Sequence, residues 1–145
     1  MSVLGDKLKI VLANSFAFYL KAAYFHWNVE GAEFPQYHDL FGKIYGEVYA
    51  SIDLTAEYIR TLDEYAPGSF KRFEELSSIE TKDTIPTARA MLKELLSDND
   101  KMIGSIIIAM ELAGKSSTTK SIENFLQERL DAHQKHAWML RATTK

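Results

Sequence analysis

Four stretches of this sequence repeat apolar residues at the three- and four-residue spacing of a helix face, and they are joined very unequally. The spacing predicts helix A over Val3–Asn28, helix B over Pro35–Leu62, helix C over Pro86–Ala113 and helix D over Ser117–Arg141. Gly31 and Pro35 break A from B, and Gly114 stops C shortly before D begins. Connections that short make A–B and C–D antiparallel hairpins. The B–C connection is long, from Asp63 to Ile85, and holds a helical patch of its own. Ser69 is placed to cap that patch, and Phe70, Phe73 and Leu76 follow at three-residue spacing. Strand signals are nearly absent. The prediction is an all-α chain, a four-helix bundle with one long B–C crossover that carries a short helix.

Two helix faces speak to assembly. Between Ile10 and Phe25 the only charged residue is Lys21, so helix A needs cover on more than one side. That cover is either a wide core face within the bundle or another subunit. On helix B, Phe41, Ile44, Val48, Ile52 and Ile59 form one stripe, read as core. His38, Gly42, Tyr45, Tyr49, Asp53 and Ala56 form a second row beside it. A row mixing small, aromatic and ionisable residues suits a subunit interface, with a half-exposed flank as the plainer alternative.

The 145 residues suit one domain, 1–145. A net charge of −3 speaks against a general nucleic-acid binder, so DNA binding is not expected. The chain has no cysteine, which removes disulfides, thiolate metal sites and thiol catalysis. Its first twenty residues loosely resemble a leader, but no small-residue cleavage site closes the run and the apolar spacing continues through Phe25 and Trp27. No stretch is apolar for the roughly 20 residues a membrane span needs. The expected setting is the cytoplasm.

Asp53 and Glu57, four apart, project from one face of helix B. His26 and His38 flank the A–B turn, so the hairpin brings them together. Two imidazoles and two carboxylates are a fitting N/O ligand set for a divalent first-row metal such as Fe(II). They cannot all belong to one ion within one chain: fifteen residues separate His38 from Asp53, roughly 22 Å along a helix. Either the two pairs are unrelated, or a second chain supplies the missing half through a two-fold interface, which would generate two equivalent sites.

The connectivity is that of ferritin-like bundles. Within them, His26-Trp27-Asn28-Val29-Glu30-Gly31, Phe34, His38-Asp39-Leu40-Phe41 and Asp53-x-x-x-Glu57 resemble the Dps family, the mini-ferritins. Pro67-Gly68-Ser69-Phe70 with Glu75–Ile79 is similar to the crossover of that family, and His136–Ala142 to its last helix. The resemblance spans nearly the whole chain. It implies a hollow homo-dodecamer, a ferroxidase that oxidises Fe(II) with hydrogen peroxide (or dioxygen) and stores the ferric iron inside. It implies that His26, His38, Asp53 and Glu57 are the metal ligands, shared across a two-fold interface, and that Trp27 intercepts oxidising radicals. From spacing alone Trp27 reads as a core or interface aromatic.

The sequence also departs from the family pattern. Where many members carry Asp four residues after the second histidine, this chain has Gly42, and the lysine that some pair with it is replaced by Ala23. The second metal position is therefore expected to be weak or water-rich. Of the acids that line an ion-entry pore in the family, only Glu123 has a counterpart. His133 and His136 read as surface or interface histidines, with chelation the lesser possibility. Three alternatives compete. An intrachain di-iron enzyme needs Glu-x-x-His motifs, which are missing. A DNA-protecting protein of this family uses lysine-rich tails, which this chain is not expected to have. A metal-binding shell with weak or no ferroxidase activity is favoured by Gly42.

Overall fold

The computed structural model describes residues 2–145. It contains α1 (Val3–Asn28), α2 (Phe34–Thr61), α3 (Phe70–Leu76), α4 (Ala88–Ala113), a 3-10 turn at Ser117–Thr119 and α5 (Lys120–Thr144). There is no strand among the described residues. The long helices α1, α2, α4 and α5 correspond to A, B, C and D, with small shifts at their ends. α2 starts at Phe34 with Pro35 in its first turn, where a missing N–H costs nothing. α4 starts at Ala88 rather than Pro86, because the Thr87 hydroxyl accepts a hydrogen bond from Ala90 N and so caps the helix. α5 opens from the 3-10 turn and continues past Arg141 to Thr144. The A–B turn relies on Gly31, whose φ of +126° is open to glycine and strained for other residues.

α1 is the central element. It packs along α2, along α4 and under α3, while α5 packs mainly on α4. The core between them is built from Leu8, Leu12, Phe18 and Phe25 of α1, Phe41, Ile44 and Ile59 of α2, and Met91, Leu95, Met102 and Ile106 of α4. The α2 stripe is core as expected, with Ile52 only partly buried. The crossover is tied to α1 by polar contacts. Ser69 caps α3 through Arg72 N at 3.2 Å. The Asn14 side-chain oxygen Oδ1 accepts from Ser77 Oγ and Ser78 N, each at 2.9 Å, and the Tyr24 hydroxyl donates to Thr84 O at 3.1 Å. No helix among the described residues is long and apolar enough to cross a membrane.

The lone charge in the middle of α1 has a partner. Lys21, 5% exposed, donates to Asp98 Oδ2 of α4 at 2.7 Å, with Glu94 at 3.6 Å. Burial pushes the Asp98 carboxyl above its usual range, against the opposing pull of Lys21 and Lys101. Removing one member of such a pair strands the other charge in the core. Lys21→Met is therefore expected to lose about 3–5 kcal/mol of stability, and a second change, Asp98→Leu, to restore most of it. Urea denaturation checks this, and an unchanged midpoint in Lys21→Met contradicts it.

Candidate functional site

The A–B hairpin brings His26, near the end of α1, onto His38, in the second turn of α2. Their rings stack with centroids 3.7 Å apart and planes 15° apart. Each ring is tied to the other residue's backbone: His26 Nδ1 lies 2.6 Å from His38 O, and His38 Nδ1 lies 2.7 Å from His26 O. A carbonyl oxygen only accepts, so in both neutral rings the proton sits on Nδ1 and the lone pair on Nε2. An imidazole held in this way is prepared to bind a metal through Nε2. Both histidines are half-buried, so Nε2 is not sealed in the core.

Gly42, one turn further along α2, leaves room for the His26 ring. A Cβ on Gly42 would lie 3.0 Å from both Cε1 and Nδ1 of His26. The ring is pinned on its other side by His38 and by its own hydrogen bond, so it has little freedom to move away. The missing carboxylate at this position therefore has a steric side that spacing does not reveal: any side chain here, aspartate included, presses on His26. Tyr45 closes the same edge, its ring 5.2 Å from that of His26.

Asp53 and Glu57 lie further along α2, both exposed, and neither has a hydrogen bond or ion pair among the described residues. Asp53 belongs to the row that spacing separated from the core, with Glu57 one turn beyond it: His38, Gly42, Tyr45 and Ala56 are half-buried, Tyr49 is 56% exposed, and none is fully buried. Within one chain the histidines and carboxylates stay apart, and no group of three or more His, Asp or Glu side chains is arranged to hold a metal among the described residues. Trp27 adjoins His26 in sequence but faces elsewhere. It is 63% exposed and lines a groove with Leu20, Tyr24 and the crossover residues Thr81–Thr84. The core reading of Trp27 is thus excluded. Glu123 is ion-paired with Lys120 at 2.7 Å, which weakens it as an ion-attracting pore residue.

The second histidine pair is a correction. His133 and His136 are not surface residues: they are 0% and 8% exposed, inside the chain's own bundle. They belong to a polar cluster that sequence reasoning missed, with Glu47 of α2, Asn99 of α4 and Arg129 of α5. Arg129 grips both carboxylate oxygens of Glu47, Nη2 standing 3.0 Å from Oε1, and His136 Nε2 donates to the same Oε1 at 2.8 Å. Arg129 Nη2 also lies 3.1 Å from His133 Nε2, and His133 Nδ1 lies 2.7 Å from Asn99 Oδ1. Asn99 Nδ2 donates to His133 O at 2.8 Å, which leaves its oxygen to accept the Nδ1 proton and the His133 Nε2 lone pair to face Arg129. A signal existed: Arg129, His133 and His136 share one face of α5 at four- and three-residue steps.

Comparisons with known proteins identify the family of the fold. A family model described as a ferritin-like domain matches residues 5–145. A curated relative, DNA protection during starvation protein 2 of Bacillus anthracis, is 32% identical over 118 residues, covering 81% of this chain and 80% of that one. An uncharacterized low temperature-induced protein of Nostoc is 30% identical over 132 residues, 90% of this chain and 74% of that one. Among solved structures, the Dps protein of Vibrio cholerae superposes with a TM-score of 0.92 at 27% identity, covering 98% of this chain and 89% of that one. It is described as a member of a broad superfamily of ferritin-like diiron-carboxylate proteins.

The buried cluster makes stability depend on acid in two stages. Burial first, then the nearby Arg129 and His136 charges, hold the His133 imidazole well below its ordinary 6.5. The unfolded chain therefore takes up a proton that the folded chain refuses, and stability falls as pH drops below 6.5. Burial of Glu47 opposes its ionisation, but hydrogen bonds from His136 and Arg129 outweigh that and bring it from 4.5 down to about 2. Its contribution is complete above 4.5 and is lost as pH falls from 4.5 toward about 2. His133→Gln should flatten the upper stage and leave the lower one. Unfolding free energies measured across this range check it, and a His133→Gln profile parallel to wild type over the upper stage contradicts it.

Proposed function

The chain belongs to the Dps family of ferritin-like proteins, and on that premise we propose that it is one subunit of a hollow homo-dodecamer that oxidises Fe(II) and stores the ferric product inside. The observation that carries this reading is the state of the two half-sites. His26 and His38 are locked with their Nε2 lone pairs free, while Asp53 and Glu57 stand exposed and uncommitted on the same helix row. Each half lacks what the other has, and the helix rise keeps them roughly 22 Å apart in one chain. Two α2 helices related by a two-fold axis would set the histidines of one subunit beside the carboxylates of the other, twice over.

The substrate is Fe(II), with imidazole and carboxylate suited to hold it. With hydrogen peroxide as oxidant, two Fe(II) each give one electron, the O–O bond breaks, and two protons complete two waters. No hydroxyl radical is released when both electrons arrive together. Trp27 is assigned the interception of any that escape. His26, Asp53 and Glu57 would hold the tighter ion, and His38, without a carboxylate at Gly42, the looser one.

A second reading is supported by Gly42: a shell that binds metal yet oxidises it slowly. Protection of DNA, which the name of the B. anthracis relative describes for that protein, gains little here from a net charge of −3. Anaerobic addition of Fe(II) followed by peroxide, with optical detection of ferric product and the native mass of the assembly, separates these readings. The expected outcome is a dodecamer that forms ferric product faster than free iron does. Loss of partners that merely orient a ligand costs metal sites about 10–100-fold, so His26→Ala and Asp53→Ala should each lower the rate at least about tenfold. Tight Fe(II) binding with no faster oxidation would favour the slow shell, and a monomeric mass would overturn both.

A further inference from the structure

Tyr45 closes one edge of the His26 ring, with centroids 5.2 Å apart, and it is the first of three linked phenols. Its ring lies 5.9 Å from that of Tyr19 on α1, and Tyr19 lies 5.1 Å from Tyr49, one turn beyond Tyr45 on α2. Tyr19 and Tyr45 are half-buried and Tyr49 is 56% exposed, so the rings lead from the histidine pair to the surface row. Beyond Tyr19 the contacts pass to Phe16 and Phe73, whose rings are far harder to oxidise than a phenol. Trp27 stands outside this chain of rings, in its groove with Leu20 and the crossover. Tyr45 follows His38 by seven residues and precedes Asp53 by eight, about 10 and 12 Å by helix rise. In the proposed two-fold pairing the axis crosses α2 midway between His38 and Asp53, beside Tyr45. The phenols of both copies then lie between the two sites.

Gly42 creates a task for them. Reduction of hydrogen peroxide to water takes two electrons, and one Fe(II) gives only one. Without a carboxylate at Gly42 the second ion is loosely held, so a site meets peroxide with a single Fe(II) in place. That ion alone splits the O–O bond into hydroxide and a hydroxyl radical. We propose that Tyr45 lends the missing electron at such a site, and that Tyr19 and Tyr49 share the resulting oxidising equivalent. The hydroxyl radical takes the phenolic hydrogen of Tyr45 and becomes water, leaving a phenoxyl radical. Electron and proton exchange with Tyr19, then Tyr49, carries the radical toward the surface row. A second Fe(II), arriving at either site, returns the electron, and water returns the proton. Two Fe(II), one peroxide and two protons have then given two Fe(III) and two waters, with the tyrosines restored. This inference rests on the ferroxidase reading.

The test adds one Fe(II) per site to the assembled protein without oxygen, then hydrogen peroxide, and freezes the mixture within milliseconds for electron paramagnetic resonance. The expected result is a tyrosyl signal that becomes several-fold weaker when two Fe(II) per site are added. Tyr45→Phe keeps the ring and removes the phenol; it should lose most of the signal and release more spin-trapped hydroxyl radical. Combining Tyr19→Phe, Tyr45→Phe and Tyr49→Phe should abolish the signal, whereas Tyr65→Phe, an exposed ring outside the chain of contacts, should keep it. Ferric product formed at the catalysed rate without a tyrosyl signal overturns this inference alone. So does a signal that survives the triple change, or one equally strong at one and two Fe(II) per site. Ferric product formed no faster than with free iron overturns the ferroxidase reading and this inference together. Should the triple variant not assemble, Tyr45→Phe decides, and an undiminished signal there overturns the proposal.

Discussion

An α-helix advances 1.5 Å per residue, and in α2 that rise separates His38 from Asp53 by about 22 Å. Neither end can be brought to the other without breaking the helix, and α2 runs unbroken from Phe34 to Thr61 with Phe41, Ile44, Val48 and Ile59 buried against the rest of the bundle. The consequences run in both directions from this rod. At its start, the short A–B turn through Gly31 folds His26 back onto His38, and reciprocal hydrogen bonds to backbone carbonyls lock both rings. Further along, Asp53 and Glu57 are exposed, and their carboxylates have no ion pair or hydrogen bond among the described residues. A single chain therefore presents two incomplete ligand sets on one face, which is the physical ground for proposing that a second copy completes them.

The remainder of the fold keeps that face rigid. α1 packs on both α2 and α4, and the one charge in its middle, Lys21, is consumed by Asp98. Asn14 and Tyr24 hold the crossover against α1, so the long connection is fastened at two places. Arg129 joins α5 to α2 through the half-exposed Glu47, while the buried His133 joins α5 to α4 through Asn99. Buried polar groups satisfied in this way are costly to disturb and leave the helices one packing arrangement. The two histidine pairs thus differ in kind: one is half-open with free lone pairs, the other buried and already paired.

Much of this was legible because it is local. Helix periodicity, the Ser69 cap, Gly114 and the unequal connections depend on neighbours in sequence, and they led to the right architecture. The start of α4 was misplaced because Thr87 competes with Pro86 as the boundary and the hydroxyl cap decides it. What sequence could not show is tertiary. Glu47, Asn99, Arg129, His133 and His136 come from three helices, so the burial of the last two was missed although their spacing was noticed. Gly42 was read as an absent ligand, when the geometry also makes it the seat of the His26 ring. Asp53 and Glu57 were singled out by spacing, and the role proposed for them rests on a contact between chains.

The account stands on a site built from two chains, and mixed reassembly tests that most directly. His26→Ala and Asp53→Ala chains, each nearly inactive alone, are unfolded together in equal amounts and reassembled. Random two-fold pairing makes half of the pairs mixed, and each mixed pair has one site with both defects and one with neither. Ferroxidase activity is predicted to recover to roughly a quarter of wild type if sites act independently. Verified reassembly with activity no higher than that of the separate mutants would contradict the shared site.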